Sequence, residues 1–396
     1  MDGWELWHPS TSAAFQYPSP HARGERYGEG SLGRPHLSQV EFSPSTDADL
    51  TEVLADRIRR AAAERIPLRI VGGDTKAFYG RQARGEFLHV AGHRGIVTCE
   101  PTELVLRARG GTPLAEVEAR LAQYGQHLGF EPPDFGPAST IGGVVAAGLG
   151  GARRPFAGAV RDFVLGATIL DGRGQVLTFG GQVFKNVAGF DAFRLMAGGL
   201  GQLGVILDVS LRVTPKPQAV MGRVLELDSE AARLWLVQRM RQASPLSGAF
   251  HDGRRLHLRL SGGAAGVEST ARAIGGEAEA PAFWDDLKQF RHPVFDGGGP
   301  LWRVSVPRTA GPFEIGETLA WDWAGAQRWV RSDAEPQAIW GAAAALGGHA
   351  TLFSGARAGD EVFQPLPSPL LALHQRLKAA FDPAGVLNPG RMYAEL

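Results

Sequence analysis

Cysteine is nearly missing from this sequence: Cys99 stands alone in 396 residues. A single thiol excludes a disulfide within the chain. It also excludes a cysteine-ligated iron–sulfur cluster, which takes about four thiolates. Any electron carrier here is therefore an organic cofactor, or it lies in a partner. Cys99 follows the β-like run Gly95-Ile96-Val97-Thr98 and reads as a small strand-edge residue. Net charge is missing too, because 41 basic side chains balance 41 acidic ones. That balance argues against nucleic acid as a partner, since neutralising phosphates takes a basic surplus. No run of about 20 apolar residues is present to span a bilayer. The longest small apolar stretch, 141–151, is short and broken by glycine. The start, Met1-Asp2-Gly3-Trp4-Glu5, lacks the basic flank and apolar core of a secretory signal, so an intracellular chain is expected.

What is present is length for more than one domain, 44% hydrophobic residues and 53 glycines, a composition that fits a globular protein mixing helices, strands and tight turns. Residues 1–44 show no sustained period and are rich in Ser, Pro, Gly and His, which reads as a flexible tail. Folding signals begin at Ser43-Pro44-Ser45-Thr46-Asp47, before a helix with Leu50, Leu54 and Ile58 on one face. A strand at 67–71 runs directly into Gly72-Gly73-Asp74-Thr75-Lys76. Residues 102–110 form a further strand. Thr112-Pro113 opens a helix in which Leu114, Val117 and Leu121 share a face and Gly125 supplies the stop. Residues 159–170 and 175–179 flank the turn Asp171-Gly172-Arg173-Gly174 as a hairpin. Val205, Leu207, Val209, Leu211 and Val213 alternate along one strand, and Pro215 with Pro217 marks a domain boundary. From 221 to 346 short strands such as 255–260 and 301–306 alternate with helices near 230–241 and 336–346. A smaller antiparallel sheet with helices on one face is expected there. The last segment carries a helix over 370–381 and ends in Asn388-Pro389-Gly390-Arg391.

One motif is refused. Gly199-Leu200-Gly201-Gln202-Leu203-Gly204 matches G-x-G-x-x-G, but a dinucleotide-binding βαβ unit needs those glycines after a strand and before a helix. Here a helix-like stretch precedes them and an alternating strand follows, so a nicotinamide site is not expected. Three other pieces converge on one chemistry. Residues 72–76 form a turn whose amides can meet a diphosphate, with Thr75 as a further donor. In Pro137-Ala138-Ser139-Thr140-Ile141-Gly142-Gly143, Ser139 or Thr140 caps a short helix with small side chains, including Ala146, against which a ligand can lie. The third piece is the glycine stretch 198–204, running into Val205-Ile206.

These pieces, followed in order by Phe381-Asp382-Pro383-Ala384-Gly385-Val386-Leu387-Asn388-Pro389-Gly390, resemble the PCMH-type FAD-linked oxidases of the vanillyl-alcohol-oxidase-like superfamily. More narrowly, Lys76 to Arg81, Lys185 to Asp191, Arg194 to Gly198, Trp323 to Trp329 and the C-terminus look like the FAD-binding E-type subunits of glycolate oxidase (glycolate dehydrogenase). The resemblance covers about 45–396. It implies an α+β fold: a two-lobed PCMH-type FAD-binding domain over 45–217, a smaller antiparallel cap domain over 218–346, and a segment, 347–396, returning to complete the flavin site. It places Gly72, Gly73, Asp74, Thr75, Lys76 and Gly80 at the pyrophosphate. Pro137, Ser139, Thr140, Ile141, Gly142, Gly143 and Ala146 fall along the adenine-to-flavin channel. Gly204, Ile206 and Asn388 come near the flavin from later in the chain. Asp74 stands where relatives commonly have glycine, and a carboxylate there repels a diphosphate unless it turns away; Lys76 is the counter-charge. Covalent members carry a histidine at that place, so non-covalent FAD is expected.

The resemblance further implies oxidation of a 2-hydroxy acid, glycolate to glyoxylate. The partners it implies are a sister FAD-binding catalytic subunit and an iron–sulfur subunit leading toward the quinone pool, in a complex resting on the inner face of the membrane. Such oxidation takes a base for the hydroxyl proton and a cation for the carboxylate. Relatives that do this alone carry clustered histidines around a metal. This chain has isolated histidines and no metal site is expected; the candidates are His349, facing the flavin, and Arg303 and Arg328 for the carboxylate, with an ordinary structural role the competing reading for each. The division expected is therefore FAD here and most substrate chemistry in the sister subunit. Two other readings stay open: a stand-alone flavoenzyme for another hydroxy acid or alcohol, and a scaffold subunit that has lost the cofactor.

Overall fold

The computed structural model describes residues 48–181 and 191–396. The expected tail, 1–44, and most of the Lys185 to Asp191 run lie outside the described residues. The helix Thr51–Glu64 buries Leu54, Ala55, Ile58 and Ala61, the face expected from the spacing. It packs beside a parallel pair, Leu68–Val71 with Glu86–His89, to which Leu387 adds a parallel bridge at Leu68.

A five-stranded antiparallel sheet stands next to this layer, in the order Ile96–Glu100, Val105–Arg109, Val205–Arg212, Val164–Leu170, Val176–Gly180. The strand Val205–Arg212 lies in its centre and is buried on both faces. Ile206, Val209 and Leu211 enter one core with the helices Leu114–Gln123 and Ile141–Ala147, while Val205 and Leu207 enter the core under Thr51–Glu64. The expected strand start at 159 is instead a helical turn, Val160–Phe163, since the Asp162 carboxylate accepts the Ala159 amide proton at 2.8 Å and bends the entry.

The second lobe is an eight-stranded antiparallel sheet, ordered Glu277–Glu279, Ala219–Leu225, Leu256–Gly262, Leu246–His251, Glu317–Asp322, Gln327–Arg331, Leu301–Ser305, His349–Ser354. It has more strands than the first lobe's sheet, contrary to the smaller sheet expected, because the hairpin 317–331 and the strand His349–Ser354 join it. The latter pairs with Leu301–Ser305, so the chain does not leave this sheet at 347 but one strand later. Helices Ser229–Arg239, Ala264–Ile274 and Pro336–Ala345 cover one face. The other face meets the first lobe: Ala320, Trp329 and Phe353 pack with Tyr79, Ala147 and Leu149. A buried ion network stitches the lobes, with Glu131 accepting from Arg259 at 2.8 Å and from Arg153 at 3.2 Å.

After the helix Ser368–Phe381 the chain returns to the first lobe. Buried Lys378 donates to Asp382 at 2.8 Å and to the carbonyls of Gln202 and Leu387. Trp284, Trp302, Trp321, Trp323, Trp329 and Trp340 are all buried, so they are core and interlobe residues rather than an outer surface.

Candidate functional site

The strand Leu68–Val71 ends where Gly72 and Gly73 turn the chain toward the helix Ile141–Ala147. A groove of about 780 Å³, solvent at its mouth included, opens between this turn, the helix, the stretch 200–206 and the C-terminal return. Gly72, Gly73, Asp74, Thr75 and Lys76 line it, with Thr140, Gly142, Gly143, Ala146, Gly204, Ile206 and Asn388. Gly80, Pro137, Ser139 and Ile141 do not. Gly80 is folded under Arg391, Pro137 is exposed, Ser139 is buried behind Lys76, and Ile141 is fully in the core.

The donors of the groove come from the turn. Among the described residues, the amides of Gly73, Asp74, Thr75 and Lys76 donate to no protein acceptor. Four neighbouring unpaired N–H groups on a bend form a nest that suits an anionic ligand. The helix start, by contrast, has none to give. Ile141 N–H donates to Thr112 O at 2.9 Å, Gly142 N–H to Gly110 O at 2.8 Å, Gly143 N–H to Thr140 Oγ1 at 3.3 Å and Val144 N–H to Thr140 O at 2.9 Å. A ligand lying against this helix start thus meets small side chains rather than free amides, and the glycines also allow close packing. A Cβ on Gly142 would lie 2.7 Å from Gly110 O, and one on Gly73 only 1.6 Å from Ala138 O.

Side chains fix the turn. Asp74 sits at φ 54°, the left-handed region where glycine is at ease. Its carboxylate turns aside to Arg69 at 2.8 Å, and Arg69 also lies over the Phe87 ring. Lys76 Nζ donates to Ser139 Oγ at 2.8 Å, to Asp134 O at 3.1 Å and to Thr75 Oγ1 at 3.3 Å, tying the 72–76 turn to the 134–139 loop. Burial lowers its pKa to about 8, partly opposed by Asp134. Thr75 thus accepts from Lys76 and keeps its own proton to give. Arg391, not among the residues expected, lines the groove and donates to the carbonyls of Lys76, Ala77, Tyr79 and Arg81, with its pKa lowered to about 10 by burial. Its signal in the sequence is the basic residue closing Asn388-Pro389-Gly390-Arg391. Asn388 accepts from Ile70 N–H and donates to Leu200 O, so it holds three chain segments together at the groove wall.

The weak catalytic candidates separate. Strand pairing puts Arg303 opposite Trp329, on the sheet face toward the first lobe, where Arg303 donates to the Tyr79 hydroxyl at 2.9 Å. Arg328 falls on the other face and spends its guanidinium on the carbonyls of Ala310 and Gly311, which removes it as a carboxylate ligand. His349, at the start of its strand, keeps an exposed edge; burial of the rest, then Arg303 and Arg154, lowers its pKa. A second cavity of about 420 Å³, open solvent included, lies between the lobes against Arg303, Asp322, Gln327 and the 149–152 segment.

Known proteins agree with this architecture. The family of the FAD binding domain matches residues 43–180, and that of the FAD linked oxidases, C-terminal domain, matches 360–392. The glycolate oxidase subunit GlcE of Escherichia coli (strain K12) is 46% identical over 351 residues, covering 88% of this chain and 99% of that protein. A D-lactate dehydrogenase of Anaerostipes hadrus is 28% identical over 187 residues, covering 46% of this chain and 38% of that one. In shape, a crystal structure of alkyldihydroxyacetonephosphate synthase superposes with a TM-score of 0.58 at 14% identity, covering 85% of this chain and 74% of that one. An unpaired amide nest, a flanking lysine and a groove lined in large part by glycine and alanine fit the diphosphate of a dinucleotide. The chain belongs to the FAD-linked oxidases, in the family of the GlcE subunit of glycolate oxidase, and is an FAD-dependent oxidoreductase flavoprotein.

Proposed function

We propose that this chain is the FAD-carrying E-type subunit of a glycolate dehydrogenase complex, in which glycolate is oxidised to glyoxylate. The observation that carries this reading is the nest of unpaired amides at 73–76, with Thr75 and Lys76 beside it. These amides hold the diphosphate, and Lys76 supplies a positive charge below about pH 8. Gly80, Pro137, Ser139 and Ile141 support the groove from behind rather than touching the ligand. Gly204, Ile206 and Asn388 form a further part of the groove wall. Bound FAD supplies the two-electron acceptor for oxidation of a 2-hydroxy acid.

The cofactor is held without a covalent bond. No histidine, cysteine or tyrosine is found among the described residues that line the groove, and the Asp74 carboxylate is committed to Arg69. Acid precipitation of the purified protein should release the flavin to the supernatant; yellow colour staying in the pellet contradicts this. The same preparation separates a scaffold, which would be colourless, from a flavoprotein.

Partners follow from the relative's name, which is that of a subunit, and from the cysteine count. One cysteine cannot hold an iron–sulfur cluster, so electrons leave through an iron–sulfur subunit, and a sister FAD-binding subunit carries most of the substrate chemistry. No described helix is long and apolar enough to cross a membrane, and any membrane association of the complex is peripheral in this reading. Replacing His349 with alanine should leave most glycolate-oxidising activity of the assembled complex. Near-total loss would overturn the division of labour.

A further inference from the structure

The second lobe reaches the cofactor turn through two neighbouring residues. The helix Ala282–Lys288 ends at Gln289, and Phe290 follows with φ of 56°, a left-handed value that non-glycine residues keep only when their surroundings enforce it. Their partners in the first lobe are Asp134 and Phe135, and Phe135 has φ of 55°. The two rings stack 5.3 Å apart and 28° from parallel, and Phe290 also stacks on Phe353 at 4.8 Å. Gln289 grips Asp134 at two points. Its Oε1 accepts the Asp134 amide proton at 3.1 Å, and its Nε2 donates to Asp134 Oδ2 at 2.8 Å. A side-chain amide offers both an acceptor for the main chain and a donor for the carboxylate, which neither a carboxylate nor an amine can do.

Asp134 in turn holds Lys76. Its carbonyl accepts from the Lys76 ammonium at 3.1 Å, while Ser139 Oγ and Thr75 Oγ1 accept at 2.8 and 3.3 Å. The amine also lies 5.7 Å over the Phe135 ring. The Asp134 carboxylate is pinned on its other oxygen by Gly136 N–H at 2.9 Å. Burial lowers the Lys76 pKa to about 8, and the charge of Asp134 opposes it. Other charged groups nearby are engaged elsewhere. Asp74 turns to Arg69, and Arg391 donates to main-chain carbonyls that include the one of Lys76. Glu118 lies within reach of Asp134, Asp285 and Lys288.

We propose that Gln289 is a positioning residue, through which the second lobe holds Asp134 against Lys76 and keeps the ammonium beside the FAD diphosphate. With Lys76 placed as proposed above, on which this role rests, FAD binding in the first lobe depends on a second-lobe residue that lines no part of the groove. The grip sits between the groove and the interlobe cavity, which Pro133 and Phe290 line.

The test is titration of the purified full chain, stripped of flavin, with FAD on both sides of pH 8, read by flavin fluorescence. In the wild type the affinity should fall as pH rises through about 8. Gln289→Leu frees Asp134, so Lys76 gives up its proton more readily and the fall should move about one pH unit lower, the scale of losing a nearby opposite charge. Asp134→Asn, which removes the charge and retains an acceptor for Gly136 N–H, should move it the same way; it keeps the test open if Gln289→Leu fails to fold. Adding Gln289→Leu to Lys76→Met should weaken FAD binding no further, because no amine is left to position. A wild-type profile in Gln289→Leu, or a loss of the same factor with and without Lys76, would overturn the assignment. A wild type whose affinity stays flat through pH 8 sinks the Lys76 reading and this role with it. A wild type that shows the fall, with no shift in either variant, sinks the role of Gln289 alone.

Discussion

The groove and the interlobe cavity differ in what they are made of. In the groove the donors are backbone amides of 73–76, and side chains stand behind to brace them: Asp74 on Arg69, Lys76 on Ser139, Arg391 on four carbonyls. In the cavity the polar groups are side chains, Arg303, Asp322 and Gln327, brought onto one face by strand register. A backbone site tolerates changes in side-chain chemistry but not in bulk. A side-chain site tolerates bulk at its rim but loses its chemistry with one atom.

The largest effect is expected from Asp322→Asn, in stability rather than flavin content. Asp322 is fully buried, and burial raises its folded pKa from 3.8 to about 7. A carboxyl with a raised folded pKa binds more protons folded than unfolded between those values, so its contribution to stability falls as pH rises from about 4 through 7. The span corresponds to at most about 4 kcal/mol. The asparagine variant keeps the acceptor for Trp323 N–H and should show a flatter profile, with higher denaturant resistance than wild type at pH 8. A wild-type curve already flat over that window would contradict the burial argument.

Gly73→Val should come next. Its side chain meets Ala138 O, which forces the turn apart at a cost of about 3 kcal/mol by the usual scale of overpacking, and most FAD should be lost. Gly143→Ala is the control, since its Cβ meets only Thr140 Oγ1 at 3.2 Å; flavin absorbance after gel filtration should be nearly unchanged. Equal loss in both would mean that bulk in the groove, not the approach of two backbones, decides.

Lys76 gives a pH-dependent test. Its amine is charged below about pH 8 and neutral above, so FAD affinity should fall as pH rises through 8 by about 1 kcal/mol or more. Lys76→Met should bind more weakly at neutral pH and lose the dependence. The smallest effect belongs to Arg69→Met. Without its partner the Asp74 carboxylate is free to face the diphosphate, and FAD should bind about fivefold more weakly, or about 1 kcal/mol. Combining it with Asp74→Gly should restore affinity.

How much of this could be read beforehand follows the same contrast. The 72–76 turn was legible because glycines after a strand report backbone needs directly. The helix Leu114–Gln123 was legible through Leu114, Val117 and Leu121, which it buries. The cap by Thr140 was legible too, but that the carbonyls of Gly110 and Thr112 take the amides of Gly142 and Ile141 was not, since those partners are some 30 residues away. The cavity was less legible still. Whether residue 303 or 328 faces the first lobe depends on strand parity, and the register shift between Thr318 and Ala320 decides which residues of that strand join Asp322. Strand parity leaves no compositional mark, so the sequence could list both arginines but not choose between them. Asp322 belongs to no motif in the sequence, since a lone aspartate after Trp321 carries no spacing signal.

The most direct measurement is an experimental structure of the FAD-loaded chain. The diphosphate oxygens should lie within about 3 Å of the amide nitrogens of residues 73–76, with the helix Ile141–Ala147 offering packing but no hydrogen bonds. A diphosphate bound at the helix start, with the 73–76 amides facing only solvent, would contradict the account.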